Sequence, residues 1–233
     1  MKEKTGRPLR VGVVVAIEID AVLERYGAPL EEIREQGQHV RLYRRGGALL
    51  YVLEAGAGEI AAAAATAWLI ARFGVELIVN FGVVGALSEE MATAELGIVE
   101  SVVHYDFDST GWLDLPRGRY PDQPAVLLET TPSLLALSEA ALPGVRRVVC
   151  ASADKFVDSA EAKSALRRDF GADICDMEAA GITLTCRRMG VPCLLLKAVS
   201  DALTGGGAEF ARELGRVSRV CFEGLEKVIA ALA

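Results

Sequence analysis

The chain has 233 residues, 52% of them hydrophobic and 24% charged, with 25 Lys and Arg against 32 Asp and Glu, a net charge of −7. This apolar content excludes a disordered chain, and the acidic balance argues against a nucleic-acid surface, which needs clustered cations. The mean hydropathy of +0.30 is high, yet the longest apolar runs have the length of buried strands and fall short of the roughly 18 residues a membrane span requires.

The first residues, MKEKTGRPLR, are charged and lack the apolar core of a signal peptide, so a cytoplasmic protein is expected. Residues 1–9 are expected to form a disordered tail and residues 10–233 a single domain. A buried strand over 10–17 leads into a helix over 18–26, with Glu18 and Asp20 in its first turn, where carboxylates suit the helix dipole. Residues 39–45 and 48–54 read as a hairpin turning at Gly46 and Gly47. An Ala-rich helix follows over about 59–73, stopped by Gly74. The strand 76–81 ends in a loop, GVVGAL, and a strand over 97–104 gives way to an irregular segment from Tyr105 to Pro124. Helices over 132–141, 159–168, 178–189 and 208–232 alternate with strands over 146–151, 172–176 and 192–200. Strands alternating with helices imply an α/β domain with a largely parallel sheet. The five cysteines (Cys150, Cys175, Cys186, Cys193, Cys221) form no C-x-x-C pair and read as small buried hydrophobes. With two histidines, His39 and His104, no zinc site has familiar spacing.

Ligands of parallel sheets bind at the carboxyl ends of the strands. The residues there are Glu18 and Asp20, then Gly82-Val83-Val84-Gly85, then Ser152 to Phe156, then Asp176, Met177 and Glu178, and finally Ser200 and Asp201. Each carboxylate also has a plain structural reading, as a favourable charge at a helix start or as a loop cap. Together, an acidic rim holding Met177 and Phe156 suits a neutral, hydroxylated ligand with an aromatic ring.

VGVVVAIEIDAV, GAGEIAAAAAT, NFGVVGAL, HYDFDST, SADKFV, DICDMEAAGI and KAVSD occur in this order. The chain resembles the nucleoside phosphorylase/nucleosidase superfamily over nearly its whole length, and within it the bacterial 5′-methylthioadenosine/S-adenosylhomocysteine nucleosidases. The resemblance implies a three-layer α/β/α domain around a mixed, partly barrel-like sheet. It also implies a homodimer, with no metal and no organic cofactor. The implied activity is hydrolysis of the N-glycosidic bond of a purine nucleoside, releasing adenine. Carried over by position, Asp201 protonates adenine N7 and Ser200 orients it. Glu178 binds the ribose hydroxyls, with Met177 against the sugar and Asp176 beside it. Phe156 stacks on the base and the Val157 backbone meets its edge. Val83 and Gly85 belong to the glycine loop, Phe210 to a lid over the 5′ substituent, and Asp20 holds the place of the water-activating carboxylate. His104, in HYDFDST, falls where the family's dimer interface lies.

The chain departs from the pattern at three places, all around the attacking nucleophile. Asp20 stands for the usual Glu, Val83 and Val84 for small or hydroxyl residues, and Lys197 for an Arg. Two alternatives stay open. Phosphorolysis would need an anion site, but the chain has AIEID where the phosphorylases carry a G-D-P-x-R-type loop. A nucleoside-binding protein without turnover would keep the pocket alone.

Overall fold

The computed structural model describes residues 7–232. The expected N-terminal disorder lies outside the described residues except at its end, where Leu9 already opens the first strand. In chain order the elements are β1 (Leu9–Val15), α1 (Ile19–Tyr26), β2 (Glu31–Glu35), β3 (Gln38–Arg45), β4 (Ala48–Glu54), α2 (Glu59–Phe73), β5 (Leu77–Ala86) and β6 (Leu96–His104). They continue with β7 (Leu128–Glu129), α3 (Pro132–Ala141), β8 (Arg146–Ser152), α4 (Ala160–Phe170), β9 (Ile174–Asp176), α5 (Ala179–Met189), β10 (Cys193–Asp201) and α6 (Gly207–Leu232).

The sheet is mixed rather than largely parallel. Its strand order is β10-β6-β8-β9-β5-β1-β4-β3-β2, and β10 also pairs with β5. The ring β5, β10, β6, β8, β9 therefore closes into a small barrel, and β1, β4, β3 and β2 extend from it as an open sheet. β1 pairs in parallel with β4 and β5, while β3 and β2 run antiparallel at the edge. Helices cover both faces. One core joins β1, β4 and β5 to side chains of α1, α3 and α6, among them Val22, Leu135 and Phe222. The other packs α2 and α5 on the opposite face through Ala62, Leu69, Ile182 and Leu184.

The local chemistry explains these elements. β5 is buried along its whole length, so its run of Leu, Ile, Val and Phe follows from burial on both faces. Gly74 ends α2 in the left-handed conformation, with φ of 58°, and its N–H donates to Ile70 O at 3.0 Å. α2 and α5 approach so closely that a Cβ on Gly181 would stand 2.5 Å from the Glu59 carbonyl oxygen. All five cysteines are buried.

Two more expectations change. GVVGAL is mostly strand, since β5 runs on to Ala86. β2 and β7 were not anticipated: β2 is the charged edge segment EEIRE, without the alternation of a half-buried strand, and β7 has only two residues.

Candidate functional site

The carboxyl ends of β1, β5, β8, β9 and β10 converge on a cavity of about 260 Å³. At the end of β1 the chain turns through Ala16 and Ile17, and Glu18 faces inward, 5% exposed. Its two oxygens accept backbone N–H bonds from Val83 at 2.9 Å and Ile17 at 3.0 Å. Asp20, in the first turn of α1, is exposed and does not line the cavity. The cause is helical periodicity. Ile19, Ala21 and Val22 turn inward on the core, which leaves Asp20 on the solvent side. Of the two acids on this segment, Glu18 and not the expected Asp20 therefore faces the cavity.

The two glycines of β5 stand beneath two acids. A Cβ on Gly82 would meet Glu18 Oε1 at 2.8 Å, and one on Gly85 would meet Asp201 Oδ2 at 3.1 Å. Val83 and Val84 between them also line the cavity.

At the end of β10 the register against β5 shifts between Val199 and Asp201. Consecutive strand residues normally point to opposite faces, and a bulge re-aims them. Here the Ser200 hydroxyl lies 2.8 Å from Asp201 Oδ1 and 3.1 Å from Val84 O. Asp201 Oδ2 receives a hydrogen bond of 2.5 Å from the Lys163 ammonium, a residue the sequence reading did not single out.

β9 delivers three further groups. Asp176 Oδ1 accepts from Ala179 N at 3.2 Å, capping α5, so its structural reading holds as well. Its other oxygen meets Lys197 Nζ at 2.7 Å. Burial works against the Asp176 charge, but the Lys197 ammonium outweighs it and holds the carboxyl below its usual range. Glu178 accepts from Gly58 N at 2.9 Å, and burial followed by the Asp176 charge pushes its carboxyl up to about 7. Met177 lies between them on the cavity wall.

Behind this wall, Glu59 and Asp176 both hydrogen-bond the Ser152 hydroxyl. Desolvation, with the Asp176 charge beside it, raises the Glu59 carboxyl to about 8. Asp154, at the end of β8, caps α2 by accepting from Glu59 N at 2.7 Å. The mouth is apolar. Phe156 and Phe210 meet edge to face with centroids 5.4 Å apart, and Ile17 and Val157 line the same opening.

Of the residues to which the family resemblance gives a site role, all but Asp20 line the cavity; Gly82 and Ser152 to Asp154, also at strand ends, do not. His104 lies away from it, with its ring nitrogens bonded to the Tyr120 hydroxyl at 2.6 Å and the Asp106 carboxylate at 2.8 Å. Lys155 is the one lysine on the cavity wall among the described residues, and no arginine reaches it.

The family model of the phosphorylase superfamily matches residues 10–232. The chain belongs to that superfamily. An aminodeoxyfutalosine nucleosidase of Helicobacter pylori is 31% identical over 200 residues, covering 82% of this chain and 85% of the relative. A 5′-methylthioadenosine/S-adenosylhomocysteine nucleosidase of Staphylococcus haemolyticus is 29% identical, covering 94% of this chain and all of the relative. Among solved structures, a Helicobacter pylori variant of the latter type of enzyme, with 5′-methylthioadenosine in its active site, has a TM-score of 0.90 at 28% identity, covering 97% of this chain and 99% of that one. These relatives are nucleosidases, hydrolases of N-glycosidic bonds, the branch that the sequence resemblance pointed to.

Proposed function

We propose that the protein is a purine nucleosidase that hydrolyses the N-glycosidic bond of an adenosine modified at its 5′ position, releasing adenine. The observation that carries this reading is the charge pattern of the cavity. Four carboxylates, Glu18, Asp176, Glu178 and Asp201, line it; the lysine on its wall, Lys155, is exposed, and the two buried ammonium groups behind the wall are each committed to one carboxylate, Lys197 to Asp176 and Lys163 to Asp201. The two acids left without a cation partner, Glu18 and Glu178, favour the oxocarbenium-like state of glycosidic cleavage and disfavour phosphate. Phosphorolysis would need a cationic anion site here, and AIEID supplies acids instead.

In this mechanism Asp201 donates a proton to adenine N7 and the base leaves as a neutral molecule. Glu178 hydrogen-bonds the ribose hydroxyls, with Met177 against the sugar. Phe156 stacks on the base beside Val157, and Phe210 closes over the 5′ group. Glu18, in place of Asp20, takes the proton of the attacking water as oxygen bonds to C1′. Glu18 then releases its proton to solvent and Asp201 takes one back, which resets the site. The water site is the backbone-lined corner of Glu18, Gly82 and Val83.

Methylthioadenosine and adenosylhomocysteine are the first substrates proposed. Aminodeoxyfutalosine is the second reading, favoured by the Helicobacter pylori relative of that activity at 31% identity. The protein is further proposed to act as a cytoplasmic homodimer. No helix among the described residues is long and apolar enough to cross a membrane.

The test is adenine release from each of the three nucleosides, with and without phosphate. Release without phosphate is expected, and Asp201→Asn should reduce it to background while leaving the circular dichroism spectrum intact. Release only with phosphate would place the protein with the phosphorylases. Tight nucleoside binding without release would make it a binding protein.

A further inference from the structure

Lys163 lies in the first turns of α4 and is wholly buried. A buried ammonium is costly unless its donors are matched. Here all three find acceptors: Asp201 Oδ2 at 2.5 Å, Ala202 O at 2.7 Å and Gly205 O at 3.1 Å. Only the first belongs to the acid. The other two belong to the glycine-containing turn that joins β10 to α6.

That turn is tied at several points. Gly207 N donates to Asp158 Oδ1 at 2.7 Å, and Ala202 N donates to Glu209 Oε2 at 3.1 Å. One residue beyond Glu209 comes Phe210, which meets Phe156 at the cavity mouth. The Lys163 ammonium is therefore bonded both to the acid at the bottom of the cavity and to the segment that carries its lid.

We infer that Lys163 is a positioning residue that couples seating of the Ala202–Gly205 turn to the orientation of Asp201. With the turn seated, the ammonium fixes Oδ2 and leaves Oδ1 for proton exchange. Ser200 then serves as a rotor on that second oxygen. Its hydroxyl donates to Oδ1 when Asp201 is ionised, and turns to Val84 O when Asp201 carries the proton. With the turn displaced, the ammonium loses two of its three acceptors and Asp201 loses its anchor. Closure of the mouth over a 5′ substituent and readiness of the acid become one event. The inference rests on Asp201 being the acid proposed above.

The experiment uses Lys163→Met, which keeps volume without charge, and Lys163→Ala, which leaves room for a small amine. Both are assayed on the nucleoside the wild type hydrolyses. The expected result is a fall in kcat of about 10²-fold, the order of loss for a misplaced catalytic group, with KM within about threefold of wild type. Ethylammonium or propylammonium should restore part of the Ala variant's kcat in a saturable way and leave the Met variant unchanged, which a merely structural role would not produce. A Met variant with wild-type kcat, or a folded Ala variant that no amine improves, would overturn the inference. Should neither variant fold, hydrogen exchange of the wild type decides. Residues 158–163 and 202–207 should gain protection together when a nucleoside analogue binds, and independent responses would sink the coupling. Asp201→Asn is run alongside. If it stays active, the acid assignment has failed; if it is inactive while Lys163→Met is not, the coupling alone has failed.

Discussion

Glu18 and Asp20 are two acids on one short segment with opposite surroundings. The Glu18 carboxylate is fixed by two backbone N–H groups, whereas Asp20 faces solvent. The expected outcome is a kcat loss of about 10²–10⁴-fold for Glu18→Gln, the worth of one general base, and activity within about twofold of wild type for Asp20→Asn. Gln at position 18 also sets an NH2 group against a backbone N–H, costing about 1–3 kcal/mol, so rates are compared per folded molecule. Equal losses in the two variants would return the role to Asp20. The acid pair shows where sequence reasoning stops. Strand-end placement brought both residues to the right corner, but choosing between them needed the phase of α1, fixed by Ile19 and Val22. Lys163 was not legible at all, since a lysine inside a helix reads as solvated until tertiary packing buries it. The residues of SADKFV, DMEAAG and VSD were legible because β8 and β9 end where the first two motifs begin and β10 ends on the third.

Among elements, the junction of α2, β8 and α5 brings two buried acids, Glu59 and Asp176, onto one hydroxyl. Glu59 opens α2, Ser152 ends β8, and Asp176 caps α5. The Glu59 carboxyl titrates near 8 in the folded protein against an ordinary value of 4.5. Between those values the folded state holds a proton that the unfolded chain has released, so stability falls as pH rises through this window. The slope is at most roughly 1.4 kcal/mol per pH unit for one proton. Gln is the isostere of the protonated acid. The midpoint of thermal unfolding of Glu59→Gln should therefore gain on wild type from pH 5 to pH 8, with Glu178, raised to about 7, supplying the pH dependence that remains. A constant difference across the range would contradict a neutral Glu59. The same scale explains why GVVGAL read as a loop. Its glycines suggested a turn, whereas in β5 they leave space for the Glu18 and Asp201 carboxylates. That requirement lives in the neighbouring strands and helices and is invisible along the chain.

For the molecule as a whole, large contiguous apolar patches mark interaction surfaces, whereas apolar side chains exposed singly are ordinary. Ile60 on α2 is 81% exposed and Trp112, in the segment after β6, is 80% exposed. The proposed homodimer would cover such groups, and the sequence resemblance set an interface near that same segment. Sedimentation equilibrium should give a mass of about twice 24.8 kDa. A single species of monomer mass at micromolar concentration would rule the dimer out, and Trp112→Ser should weaken association.

The site's hydrogen bonds reach far along the chain. Val83 bonds Glu18 across 65 residues, Gly58 bonds Glu178 across 120, and Lys163 bonds Asp201 across 38. Contacts of such sequence separation form late, after long loops have closed. A nascent or truncated chain lacking β10 and α6 cannot complete the cavity, since Ser200, the proposed acid Asp201 and Phe210 at its mouth all lie beyond the residues that form the rest of its wall. Recovered catalysis on refolding is thus a report on completion of the entire sheet, and it should lag behind any signal that follows helix formation alone.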